Sequence, residues 1–310
     1  VMGLVIDGEA QYRIVGYHVW GSNDNYDWNR GEMQKIDVNK LWNFFNCNLG
    51  IDYSFAKWHG IAGGFAMTNL EPTRADFTDR YNFSTVTEEP LPERLYDFEL
   101  SYRFVHEMAQ ASINLYYMEY YNQLVPTGIV NDSEDNLNMN VKDSYRRGIE
   151  LTVSVDPLKW MKIGTSWTLS QNRILNFDEV IGDQTFHHDN VDIAYSPSVT
   201  GYGFIDFHTH GFQGIVKVQY VGKQYISNGG HEDLSLPGYC VGTIDLGYRF
   251  AIPHSSTSLR LGVQINNFTN TLYSSYGYGG SYMDDGERKS WSYLFPQAPC
   301  NAMGSISVIF

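Results

Sequence analysis

The sequence predicts an all-β protein, a transmembrane antiparallel up-and-down β-barrel of about twelve strands. Three observations predict it: side chains that alternate with period two, short and long connections that alternate along the chain, and a composition rich in aromatics but thin in charge. Of the 310 residues, 43% are hydrophobic and 15% aromatic, yet only 18% are charged. Mean hydropathy is −0.33, and the longest apolar run, Ile61 to Met67, is broken by glycine and far short of the ~20 residues a spanning helix needs. A helical membrane protein, a disordered tail and a collagen-like chain are excluded. Lys+Arg of 21 against Asp+Glu of 35 leave a net charge of −14, which excludes electrostatic binding of nucleic acid.

The strands follow in order. Leu4–Trp20 alternates weakly. Asn43–Phe55 sets Phe45, Cys47, Leu49, Ile51, Tyr53 and Phe55 against Asn46, Asn48, Asp52 and Ser54. Gly60–Leu70 is again weak. Arg94–Phe104 is the clearest, with Tyr96, Phe98, Leu100, Tyr102 and Phe104 on one face and Asp97, Glu99, Ser101 and Arg103 on the other. From Ala109, Ile113, Leu115 and Tyr117 oppose Gln110, Ser112 and Asn114. Tyr145–Val155 sets Ile149, Leu151, Val153 and Val155 against Arg146, Glu150, Thr152 and Ser154. Met161–Leu169, Ser196–Phe207, Phe212–Tyr220, Ile244–Phe250, Leu259–Ile265 and Ala302–Phe310 complete the set, and no helix is expected.

The connections near Ala56–His59, His106–Met108, Asp156–Lys159, His208–Gly211 and Ala251–Ser255 are only about 3–5 residues long, as hairpin turns are. Between them run Gly21–Trp42, Glu71–Glu93, Asn122–Asp143, Arg173–Tyr195, Lys223–Gly238 and Thr271–Pro299, read as long loops. Short turns at one end and long loops at the other make a meander, and strands near ~9–11 residues cross a bilayer obliquely. A soluble sandwich or propeller also alternates, but it does not gather six long loops at one end with aromatics at strand ends. Phe310 ends the last strand as an aromatic on the lipid face, an assembly signal at the periplasmic rim, so the long loops are expected outside the cell. Cys47, Cys240 and Cys300 lie far apart and read as isolated small apolar residues. Val1-Met2-Gly3 opens no basic-then-apolar stretch, so no signal peptide is read there.

Several segments together resemble the barrel of TonB-dependent outer-membrane receptors of the type common in Bacteroidetes. Asn266-Asn267-Phe268-Thr269-Asn270-Thr271-Leu272-Tyr273 resembles that family's NNLFNxxY segment after the penultimate strand, and Tyr293-Leu294-Phe295-Pro296-Gln297-Ala298-Pro299 its closing YFPQAPRN strand. Glu71-Pro72-Thr73-Arg74 with Asp76-Phe77-Thr78-Asp79, Glu93–Leu100 and Tyr145–Leu151 are similar to further recurrent segments. The resemblance covers residues 1–310 as one C-terminal part of a larger barrel of about 22 strands. It implies an N-terminal plug and TonB-contacting box that nothing here resembles, so energy coupling is not expected in these residues. Cys300 stands where the family usually carries Arg.

Capture of a nutrient by the outer loops is the step whose parts are present. Tyr26, Trp28 and Trp42 in the first loop, and Tyr276, Tyr278, Tyr282 and Trp291 in the last, are aromatics suited to stacking on a ligand; packing between loops or membrane-interface anchoring is the alternative. His187-His188-Asp189 is the compact metal-capable set, but adjacent histidines on an extended chain point to opposite sides, and a solvated polar loop is the other reading. No metal site is assigned. Arg74 and Arg80 suit an anionic chelate, or else pair with Glu71, Asp76, Asp79, Glu88 and Glu89. No GxSxG, HExxH or phosphate loop is present, and Asp284-Asp285 reads as a glycine-rich turn, so no enzyme and no cofactor are expected.

The resemblance implies an outer-membrane receptor that imports a nutrient complex, an iron–siderophore chelate first and cobalamin next. Its partners would be the TonB complex acting through the plug, the barrel-assembly machinery and outer-membrane lipid. No segment resembles the FRAP motif of haem receptors, and the motifs look closer to the siderophore and cobalamin type than to glycan importers. The alternatives are a plug-free diffusion pore of twelve strands closed on themselves, or a partial barrel without activity.

Overall fold

The computed structural model of the chain describes residues 2–27, 31–78, 89–130, 136–253 and 256–309. Trp28, Arg80 and Phe310 lie outside the described residues. The strands are β1 (Gly3–Asp27), β2 (Glu32–Ala56), β3 (His59–Leu70), β4 (Glu93–His106), β5 (Ala109–Val130), β6 (Asn136–Leu158), β7 (Met161–Ile181), β8 (Gln184–Asp192) and β9 (Val199–Thr209). They continue as β10 (Phe212–Val221), β11 (Gln224–Tyr225), β12 (Ser235–Leu236), β13 (Tyr239–Ala251), β14 (Ser258–Asn266), β15 (Ser274–Asp284), β16 (Glu287–Pro296) and β17 (Asn301–Ile309).

Twelve of them form one antiparallel meander, β1-β2-β3-β4-β5-β6-β7-β9-β10-β13-β14-β17, which is the expected strand set. The turn end is also where the sequence puts it. Lys57-Trp58 joins the pair Ala56–His59, Glu107-Met108 joins His106–Ala109, and His210-Gly211 joins Thr209–Phe212. The last takes φ of 47° and 83° at its two residues, the left-handed pair whose twist matches the flanking strands and which a Gly adopts at no steric cost. The turn expected at Asp156–Lys159 lies slightly later, at Lys159-Trp160 between Leu158 and Met161.

The opposite end corrects the reading of long loops. β1 and β2 stay paired out to Asp27–Glu32, so most of Gly21–Trp42 is strand, Tyr26 and Trp42 included. β5 and β6 pair out to Val130–Asn136. Arg173–Tyr195 is the end of β7 folded onto β8 through Gly182. Thr271–Pro299 holds a separate hairpin, β15–β16. The backbone ladder continues past the apolar rows because its hydrogen bonds must be satisfied somewhere; what stops there is the uniform apolar face, and with it the signal that marks a spanning strand.

A helix is present where none was expected. α1 (Arg74–Thr78) is one turn closed by a reciprocal cap: Thr73 N and Oγ1 both donate to Asp76 Oδ2 at 2.7 Å, and Asp76 N returns to Thr73 Oγ1 at 3.4 Å. The turn survives because Phe77 is 0% exposed, 5.3 Å from the Tyr17 ring and 6.1 Å from Trp42.

Burial along the spans is inverted relative to a soluble sheet. Phe98 and Leu100 on β4 are 47% and 55% exposed, with Tyr102, Leu115, Tyr117, Ile149 and Leu151 continuing the exposed apolar rows on β4–β6. An apolar surface of that extent is stable against lipid, not water. The buried apolar clusters sit instead at the loop end: Val125, Val141, Ile174, Phe177 and Ile193 in one, Ile36, Val38 and Phe77 in another, Ile226, Leu234 and Leu236 in a third. β1 and β17 are the two ends of the sheet and do not pair with each other. Among the described residues the twelve strands do not close on themselves, as a diffusion pore would need.

Candidate functional site

Because apolar residues of each span face lipid, their polar neighbours line the inner wall. Glu99 on β4, Asn114 and Tyr116 on β5, and Arg146 and Glu150 on β6 converge there on a pocket of about 360 Å3. Ser196 and Tyr195, in the segment leading into β9, complete it from the loop end. Arg146 Nη1 donates to Ser196 Oγ at 3.0 Å, which holds a cation in the wall of a pocket that Glu99 and Glu150 also line. Tyr195 forms the roof. Its Oη donates to Gly277 O at 2.9 Å, its ring lies 5.6 Å from that of Tyr276, and burial pushes its phenol pKa upward. Sequence reasoning singled out the Tyr145–Leu151 segment but not Arg146 as a wall residue; its place opposite Ile149 in the alternation was the available signal.

All four predicted aromatics of this segment, Tyr276, Tyr278, Tyr282 and Trp291, fall on the β15–β16 hairpin, and the first two and Trp291 join one ring cluster with Tyr293 and Phe295. Tyr278 is 5.5 Å from Tyr293 and 5.9 Å from Phe295, and Trp291 meets Tyr278 edge-on at 6.0 Å. Tyr276 lies 5.4 Å from Phe295. These rings are cross-strand pairs that hold the hairpin together, with Trp291 keeping an exposed face at the rim. Tyr26 is exposed near the tip of the β1–β2 extension, remote in sequence and strand order from that hairpin. Trp42 packs on Tyr17, Phe44 and Phe77.

Arg74 is exposed on α1, and none of its described acidic neighbours is its ion-pair partner. Glu71 holds Arg13 with Oε2–Nη2 at 2.5 Å, Asp76 caps the helix and accepts from Asn138, and Glu89 pairs with Lys40 at 2.7 Å.

His187 and His188 do turn to opposite faces. Asp178 lies opposite His187 across the β7–β8 ladder, and their side chains meet at 2.7 Å, which lifts the His187 pKa above its ordinary value. His188 faces the other side and reaches Glu179 Oε2 at 2.9 Å, and His231 from the β10–β13 connection reaches the same oxygen at 2.8 Å. Neither Glu179 nor His231 is legible as a partner of His188 from sequence, since 43 positions separate the two histidines.

The resembling motifs are structural fasteners. Asn267, at φ 50°, accepts from Thr271 N at 3.0 Å and donates to Thr271 O and Ala298 O at 2.9 and 3.1 Å. Asn270 accepts from Cys300 N, and Gln297 N donates to Tyr273 O. They bind the end of β14 to the entry of β17.

Residues 11–268 match the family described as TonB dependent receptor-like, beta-barrel. The chain belongs to the TonB-dependent receptor β-barrel family. Among solved structures it is similar to the ferric-catecholate import receptor Fiu of E. coli K12, with a TM-score of 0.65 at 14% identity over 99% of this chain and 42% of that one. It is also similar to the siderophore receptor PiuA of Acinetobacter baumannii, TM-score 0.70 at 12% identity over 99% and 41%. The copper transporter OprC gives a TM-score of 0.69 at 12% identity over 99% and 45%. The chain thus spans about two fifths of the length of these structures. A comparison with curated proteins finds no match.

Proposed function

We propose that residues 1–310 are the C-terminal part of the barrel of an outer-membrane TonB-dependent receptor of Bacteroidetes type, which captures a nutrient complex at its outer loops for energy-coupled import. An iron–siderophore-type chelate is the preferred cargo and cobalamin the next. The observation that carries this reading is the polar inner-wall pocket lined by Glu99, Tyr116, Arg146, Glu150 and Tyr195, in a family whose solved relatives include siderophore import receptors. Arg146 would offer one anionic group of the chelate a charge-assisted hydrogen-bond partner, and the outer aromatics Tyr26, Trp28, Tyr276, Tyr278 and Trp291, with Arg74, His187 and His188, would meet it first. The role is binding and transport, not catalysis. The plug and the TonB complex would supply movement and energy, and the barrel-assembly machinery would insert the strands, with Phe310 as the signal.

Uptake of radiolabelled ferric chelates by iron-starved cells, with and without the intact receptor gene, tests it. Loss of uptake of one chelate in the deletion strain, and in wild-type cells whose proton-motive force is dissipated, is expected. Uptake of every iron chelate unchanged by deletion would overturn the preferred cargo, and binding that never leads to accumulation would overturn import.

A further inference from the structure

Glu179, His188 and His231 reach one point from two separate excursions of the chain. On the β7–β8 ladder Phe177 faces His188 and Glu179 faces Phe186, so Glu179 and His188 are diagonal neighbours on one face. His231 arrives just ahead of the 3-10 turn Glu232–Leu234. That second excursion is held firmly: Ile226, Leu234 and Leu236 form its buried core, and the buried Asn228 side chain accepts from Ala194 N at 2.8 Å and donates to Pro126 O at 2.7 Å. The ligand-capable atoms of all three residues lie within 4.8 Å of one another, the side chains are 12% exposed for Glu179, 23% for His188 and 19% for His231. The two imidazoles stand nearly perpendicular at 5.8 Å. A Cβ at Gly229 would lie 2.6 Å from Glu179 Oε1 and 2.7 Å from His231 Cδ2, so the residue beside the cluster leaves the room it occupies. Among the described residues, the ion pairs of this half-buried carboxylate are with the two histidines only.

We propose that Glu179, His188 and His231 bind a divalent transition-metal ion of the zinc class, which clamps the β7–β8 hairpin to the β10–β13 connection. Two imidazole nitrogens and one carboxylate oxygen are the donor set such an ion takes at a site with one further position open; magnesium and calcium favour all-oxygen shells. The metal would take each ring in the form that carries its proton on Nδ1 and a free lone pair on Nε2, while Glu179 exchanges two hydrogen bonds for one coordinate bond. A water would complete the shell at the fourth position. The clamp is independent of what the receptor imports.

Titration of the metal-stripped intact receptor in detergent with Zn2+ by calorimetry is the test, with Co2+ absorption to report a four-coordinate shell. One ion per chain is expected. Loss of even a supporting partner of a metal ligand costs about 10–100-fold in affinity, so His231→Ala and Glu179→Gln should each lose at least that, whereas His187→Ala, on the other face, should bind as wild type. Zn2+ should also slow trypsin cleavage after Lys223 in the wild type and not in His231→Ala. Should the variants fail to give a heat-modifiable barrel, the wild-type stoichiometry and protection decide. No stoichiometric binding, or a His188→Ala/His231→Ala double variant that binds like the wild type, would reduce the cluster to a hydrogen-bonded His–Glu–His network and overturn the clamp.

Discussion

Phe77 holds the β3–β4 connection down with one side chain. A five-residue helix has too few hydrogen bonds to persist by itself, so the burial of Phe77 between Tyr17 and Trp42 keeps α1 in place. Truncating a buried phenylalanine costs about 3–5 kcal/mol, more than one helical turn can supply. Phe77→Ala is therefore expected to release the connection, raising protease cleavage between residues 71 and 93 on intact cells, while Phe77→Leu stays near wild type. Equal cleavage of both variants and wild type would mean that α1 is held elsewhere. The same scale shows why the family-like motifs were legible and their roles were not. Asn267 and Asn270 stand out in sequence as asparagines next to a strand, but only the fold shows that their side chains and left-handed backbones tie β14 to β17.

At the scale of elements, the β15–β16 hairpin is the clearest gain over sequence. Its turn, Asp285-Gly286, has φ of 48° and 80°, as expected of a tight two-residue hairpin. Tyr276-Gly277-Tyr278-Gly279 alternates with period two, yet with glycine in the polar role, so it read as a flexible loop. The hairpin docks by Tyr276 on Tyr195 and by Arg288, whose Nη2 lies 2.6 Å from Asp233 Oδ1. If this docking roofs the inner-wall pocket, Tyr276→Ala should weaken ferric-chelate binding roughly tenfold, about the 1.4 kcal/mol that a well-packed aromatic pair supplies. Tyr276→Phe should bind within a factor of a few of wild type. Fluorescence quenching by the chelate measures both, and unaltered affinity in the alanine variant would return Tyr276 to packing alone.

At the scale of the molecule, the meander fixes which segments share an end. Lys223 sits in the β10–β13 connection, where Glu232 holds it at 2.7 Å and pushes its pKa up to about 12. Trypsin added to intact cells is expected to cut after Lys223 and after Arg80, and to spare Lys159 in the turn at the other end. Cleavage confined to Lys159 would invert the orientation. Since β1 and β17 leave the sheet open and the chain spans about two fifths of its solved relatives, the native polypeptide purified from outer membranes is expected to have a mass well above 35.4 kDa. A mass near that value would remove TonB-coupled import from this polypeptide and leave a barrel assembled from more than one chain.

The sequence by itself determined the strand meander, its tight turns and the lipid-facing rows, because alternation is a local property that the bilayer enforces on every span. It also placed His187 and His188 on opposite faces. Only the tertiary structure decided that three of the presumed loops are continued ladders and a fourth a separate hairpin, where no uniform face marks the strands. It alone brought Arg146 to a pocket from the middle of a strand, and Glu179, His188 and His231 to one point from two excursions. Those contacts join residues far apart in the chain, through register and loop packing that no local pattern encodes.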